Sequence, residues 1–84
     1  MSSPEGSLLR LRVVADADPG VLARVLERFQ NINFIPRRVV AEFATNGKLH
    51  VEIDTFGITE AHLTLIAAKI GEATSVVSSY WHRV

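Results

Sequence analysis

The stretch ADADPGVLARVLERF, Ala15–Phe29, decides how the rest of the chain is read. It opens on two acids, a proline and a glycine, and then becomes strongly periodic. Leu22, Val25, Leu26 and Phe29 recur at i, i+3, i+4 and i+7, which is one stripe of a helix. Asp18 suits the N-cap, where its carboxylate accepts backbone N–H bonds left free in the first turn. Pro19 suits the first helical position, where its missing N–H costs nothing. Full burial of the four stripe residues is worth roughly 6–12 kcal/mol, so packing rather than propensity decides this helix. The helix is expected to end near Asn31, with Asn33 in the left-handed conformation just beyond it.

Working outward, SLLRLRVVAD alternates. Leu9, Leu11, Val13 and Ala15 share one face, while Arg10, Arg12 and Asp16 share the other, which is a strand with one wet side. On the far side, FIPRRVVAEFATNGKLHVEIDTF reads as a hairpin. A two-residue Asn46-Gly47 turn would mix the faces of the two strands. A three-residue Thr45-Asn46-Gly47 loop with Gly47 left-handed repairs this. Phe43 then faces Leu49, Ala41 faces Val51 and Val39 faces Ile53, all inward, with Arg38 opposite Asp54 and Glu42 opposite His50 on the outer face. GITEAHLTLIAAKIGEA is a second helix, capped by Thr59, striped by Leu63, Ile66, Ala67 and Ile70, and ended by Gly71. TSVVSSYWHRV is a last strand. The adjacent pairs Val76/Val77 and Tyr80/Trp81 leave its faces open.

The order β-α-β-β-α-β, with one apolar stripe per helix and one apolar face per strand, predicts an α+β, ferredoxin-like βαββαβ two-layer sandwich. Its antiparallel four-stranded sheet has the order 4-1-3-2, with both helices on one face. Residues 8–84 are expected to form one domain behind a short floppy leader, residues 1–7. Strands two and four are then edges, which invite pairing.

Composition narrows the function. Of 84 residues, 48% are hydrophobic, so the chain can fold, and self-association would help so small a core. Nine basic residues balance nine acidic ones, which argues against a general nucleic-acid or acidic-membrane binder. There is no cysteine, which removes disulfides and thiolate metal sites and fits a cytoplasmic protein. No apolar run approaches a membrane span. His50, His62 and His82 lie on three separate elements without ligand-like spacing, so neither a metal nor another cofactor is expected. Glu52 and Asp54 share the outer face of one strand and are expected to neutralise Arg10, Arg12 and Arg38 rather than to act as a catalytic pair. Arg37 is expected to point toward the end of the first helix.

The Asp18-Pro19-Gly20-Val21-Leu22 start, followed by Val25, Phe29 and the drop into a strand after Asn33, resembles the ACT domain, a small ligand-binding regulatory module. The likeness covers about residues 8–82. It implies side-by-side dimers with an amino acid held at the dimer interface near the first helix, and no catalytic residues. Free-standing domains of this length also resemble the small regulatory subunits of acetolactate synthase, which dock on a larger catalytic subunit. The residues carried over as ligand-binding are Asp18, Gly20, Val21, Leu22 and Asn33, the N–H groups of the helix tip being suited to a carboxylate. Asp18 could contact an ammonium, but capping alone explains an acid before Pro19, and that reading is preferred. Ala15, Ala17 and Ile35 stand where amino-acid-binding members often carry polar side chains. The competing reading is therefore a ligand-free structural or interaction subunit docked on a larger enzyme. An acylphosphatase-like enzyme is disfavoured, because the acidic loop after the first strand repels phosphate.

Overall fold

A computed structural model describes residues 8–84; the leader read in residues 1–7 lies outside the described residues. The elements are β1 (Leu8–Asp16), α1 (Val21–Gln30), β2 (Arg38–Phe43), β3 (Lys48–Phe56), α2 (Glu60–Gly71) and β4 (Val76–Arg83). The four strands form one antiparallel sheet in the order β2-β3-β1-β4, which is the expected 4-1-3-2.

Alternation along β1 and β3 builds the core. Leu9, Leu11, Val13 and Ala15 are buried against Val51 and Ile53 of the paired strand and against Val21, Val25 and Phe29 of α1 and Leu63, Ile66 and Ile70 of α2. The hairpin adopts the three-residue loop. Phe43 pairs with Leu49, Ala41 with Val51 and Val39 with Ile53, and Gly47 has φ 79°. The Ala44 N–H donates to the Lys48 carbonyl at 2.8 Å to close the loop.

Three expectations need correction. The buried stripe of α1 is Val21, Val25 and Phe29; Leu22 and Leu26 are only half-buried. The same displacement uncovers the inner face of β2, where Val39 is 41% and Phe43 71% exposed although both point to the helix side. The cause is the position of the helix layer. α2 packs hard on β4: the Ser79 hydroxyl donates to the Ala67 carbonyl at 2.8 Å, and the Trp81 indole N–H donates to the Thr64 hydroxyl at 2.8 Å. Gly71 closes α2 without a left-handed conformation, and a Cβ there would make only ordinary contact, 3.7 Å, with Ser79. The layer is thus anchored at the β4 side, and β2 extends beyond it. Third, Arg37 turns away from α1 and lays its guanidinium 4.7 Å from the centre of the Phe56 ring, a cation–π contact.

The ambiguous faces of β4 resolve through a bulge. Val14 pairs with Ser78 but Ala15 with Val76, which leaves Val77 over and exposed. Trp81 then points inward onto α2, and Tyr80 points outward.

The outer face of the sheet carries the expected charge network. Arg10 grips Asp54 with two bonds, 2.6 and 3.1 Å, while Glu52 holds Arg38 at 2.7 Å and Arg12 at 3.0 Å. Hydrogen bonding from Arg10, reinforced by the charges of Arg10 and Arg38, lowers the Asp54 carboxyl pKa. A lowered folded pKa stabilises the fold above the unfolded value, about 3.9. That stabilisation is lost as pH falls through the folded pKa.

Two outcomes follow from this packing. Phe29→Ala should cost about 3–5 kcal/mol in urea denaturation, and Leu26→Ala clearly less, because Leu26 is already half in water. The midpoint of acid unfolding, followed by circular dichroism, should lie below pH 4, and Asp54→Asn should flatten the acid limb of the stability–pH curve.

Candidate functional site

The loop joining β1 to α1 is tied down by its own side chains. Asp16 ends β1 and pairs with the Lys48 ammonium at 2.5 Å. Asp18 is not the helix N-cap: that position is Gly20, with no side-chain cap bond. Instead one Asp18 carboxylate oxygen accepts from the Gly20 N–H at 3.1 Å, the turn that Asp makes with the backbone two residues on. The Asp18 carbonyl takes the Val21 N–H at 3.0 Å, so Pro19 and Gly20 are turn and the helix begins one residue later. The other carboxylate oxygen accepts from the Arg24 guanidinium at 2.8 Å, and that guanidinium folds over Gly20, where an added Cβ would lie 3.3 Å from it. The Gly20 N–H, then the Arg24 guanidinium, lower the Asp18 pKa.

The helix tip is therefore partly occupied from within. The Gly20 and Val21 N–H groups have partners, whereas among the described residues those of Leu22 and Ala23 find none in the chain. Ala23 is a donor that residue-by-residue carry-over passed by; the absence of a bond to Asp18 or Pro19 is visible only in three dimensions.

Two open clefts flank α1 on the uncovered β2 side. One, about 340 Å³, is lined by Ala17, Asp18, Pro19 and Leu22 and by Phe43 and Leu49 of the hairpin. The other, about 460 Å³, lies at the opposite end of α1 and is lined by residues including Leu26, Asn33, Phe34, Ile35 and Val39. Asn33 is left-handed, φ 56°, as its position after the helix predicts. Its N–H bonds the Gln30 carbonyl at 2.9 Å and the next N–H, of Phe34, bonds the Phe29 carbonyl at 3.0 Å. This is a Schellman closure, with Phe34 packed on Phe29 at 6.0 Å between ring centres. Within one copy the structure thus gathers Asp18, Gly20, Val21 and Leu22 at one end of α1 and sets Asn33 at the other.

Other candidate groups serve structure. His82 accepts from the Arg12 guanidinium at 3.3 Å, while His50 lies opposite Glu42 and His62 lies on α2. Among the described residues no cluster of three or more His, Cys, Asp or Glu side chains is placed to hold a metal, and no helix is long and apolar enough to cross a membrane.

The mouth gives a direct test. The Asp18 carboxyl, followed by NMR against pH, should titrate below the ordinary value of about 3.9, and Arg24→Ala should move it back upward. Asp18→Ala should speed hydrogen exchange at the Gly20 amide, which loses its acceptor.

A search of curated proteins finds no match to the sequence. Solved structures share the fold at low identity. The solution structure of the C-terminal domain of the MgtC protein from Mycobacterium tuberculosis aligns with TM-score 0.77 and 16% identity over 100% of this chain and 94% of that one. The crystal structure of the ACT domain from GTP pyrophosphokinase of Chlorobium tepidum gives 0.72 and 18% over 93% and 97%. A homoserine dehydrogenase from Thiobacillus denitrificans gives 0.75 and 20% over 92% of this chain but only 17% of the enzyme. The sequence also matches the family model described as ACT-like domain across residues 3–84, and with the βαββαβ topology above this places the chain in the ACT-like domain family.

Proposed function

We propose that this chain is a non-catalytic regulatory module that binds a small molecule, an amino acid, where two copies meet. ACT domains are generally small-molecule-binding regulatory modules. The observation that carries the reading here is the bare flank of α1 and β2, where Leu22, Leu26, Ile35, Val39 and Phe43 lie half-buried or exposed beside a free sheet edge. The opposite edge, β4, is blunted by the Val77 bulge, whereas β2 runs regularly from Val39 to Phe43.

The register of such a dimer can be argued from β2 itself. The Ala44–Lys48 bond fixes which backbone groups turn toward β3, so by alternation those of Val39, Ala41 and Phe43 face the free edge. An antiparallel pairing about a two-fold axis at Val40 joins Val39 of one copy to Ala41 of the other. It sets Arg38 opposite Glu42 and Val40 against Val40 on the outer face, and keeps Val39, Ala41 and Phe43 together on the inner one. Because the pairing is antiparallel, the end of one β2 meets the start of the other. The cleft holding Asp18 and Leu22 then meets the segment carrying Asn33 and Ile35 of the second copy. An amino acid seated there has the free Leu22 and Ala23 N–H groups for its carboxylate, Asp18 for its ammonium, and Leu22, Phe43 and Leu49 around its side chain. By this reading the bound state is transmitted to an amino-acid biosynthetic enzyme, acetolactate synthase being the case that the sequence resemblance names.

The ligand-free docking subunit keeps one specific observation in its favour: Asp18 itself occupies the Gly20 and Val21 N–H groups. Calorimetric titration with a panel of amino acids, paired with sedimentation of the same samples, separates the readings. The expected result is a dimer that takes an amino acid with an apolar side chain. Ala41→Pro, which removes an edge N–H without touching the β2–β3 bonds, should give a folded monomer that has lost the heat of binding. A dimer silent to the whole panel leaves the docking role, and a wild-type monomer silent to the panel overturns both the dimer and the sensor.

A further inference from the structure

The helix layer carries a second feature, on the side of α1 away from β2. A cavity of about 40 Å³ opens between α1 and α2, with Val21, Val25, Ile70 and Val76 in its floor and three cations, Arg24, Arg28 and Lys69, around its rim. A neighbouring cleft of about 180 Å³ shares Arg28 and Lys69 and continues along Ile32, Leu65 and Ile66, with Asn31 and His62 as polar groups.

No acidic side chain lines either space. The acids borne by the two helices are placed elsewhere: Glu60 pairs with Arg83, and neither Glu27 nor the cap residue Glu72 forms an ion pair among the described residues. Arg24 is neutralised by Asp18, which also fixes its guanidinium at the rim. Arg28 and Lys69 have no ion-pair partner among the described residues. The sheet face of the same protein pairs each of Arg10, Arg12 and Arg38 with a carboxylate, and Arg37, the other cation without an ion pair among the described residues, rests on the Phe56 ring.

We infer that the cleft between α1 and α2 is an anion site for the phosphoryl group of a small phosphate monoester, separate from the amino-acid mouth. A tetrahedral dianion at the rim is reached by two guanidinium groups and an ammonium, the donors that recognise phosphate through charge-assisted bonds. The apolar floor limits competition from water. The compact, partly apolar body of the ester extends along Ile32, Leu65 and Ile66, within reach of Asn31 and His62. The inference does not need the dimer, and its two unpaired cations, Arg28 and Lys69, lie away from the β2 side; Arg24 alone is tied to the amino-acid mouth, through Asp18.

The test uses the full chain, labelled with nitrogen-15 and titrated with inorganic phosphate at constant ionic strength, with chloride as the control anion. Saturable shifts confined to the amides around Arg28, Lys69 and Ala73 are expected. Arg28→Gln combined with Lys69→Gln should weaken the fitted affinity at least tenfold while leaving the rest of the spectrum in place. Both side chains are exposed, and Lys69→Gln alone, with a smaller loss, serves if the double variant does not fold. Shifts that do not saturate, that chloride reproduces, that survive the substitutions, or that centre on Arg10, Arg12 and Arg38 would overturn the site. Tighter binding of a glutamate-rich peptide than of phosphate would also overturn it, assigning the cleft to a protein partner instead.

Discussion

The approach of α2 to β4 governs the rest of this molecule. The Ser79 hydroxyl bonds the Ala67 carbonyl of the helix, and Trp81 reaches across to Thr64. Once α2 is fixed over β4, α1 lies over the centre of the sheet and cannot also cover β2. The apolar residues on the inner side of β2 are then left without a lid from their own chain. What would be a routine half-buried edge strand becomes a bare apolar flank beside free backbone donors and acceptors.

The two faces of the sheet solve opposite problems. Inside, β1 and β3 bury an uninterrupted apolar ladder, and the one polar side chain there, Thr55, donates its hydroxyl to the Leu9 carbonyl at 2.9 Å, so burial leaves nothing unsatisfied. Outside, β1, β2 and β3 carry three arginines and two carboxylates in a closed network. Such a network is worth little per exposed pair, but each carboxylate in it is shared by more than one cation, which ties β1, β2 and β3 together across the sheet.

The helix tip shows how a local rule can hold in purpose and fail in position. An acid before Pro-Gly does satisfy backbone donors, but it does so two residues early, by closing on Gly20 rather than by capping the helix. The consequence is chemical. Two of the amides that would face a ligand are already engaged, the next two are free, and Arg24 is drawn over the turn. The mouth is thereby less acidic than its two aspartates imply, since Lys48 and Arg24 each neutralise one of them.

Nearly all of the topology was legible in the sequence, because it rests on periodicities that are local. The period-two alternation of Leu9 to Ala15, the loop that brings Phe43 against Leu49, the Thr59 cap and the left-handed Asn33 each follow from a few neighbouring residues. The candidate site was legible only as a list of positions. Which of Val21, Leu22, Val25 and Leu26 is buried depends on where the helix sits over the sheet, and that is set by the bonds of Ser79 and Trp81 to α2, distant in sequence. The faces of Tyr80 and Trp81 waited on a bulge at Val77, whose placement depends on pairing with β1. The sequence by itself determined the elements, their order and their partners, since those arise from short-range patterning; only the tertiary structure decided which apolar face stays uncovered and which helix-tip amides stay free, since both depend on how separate elements compete for the same space.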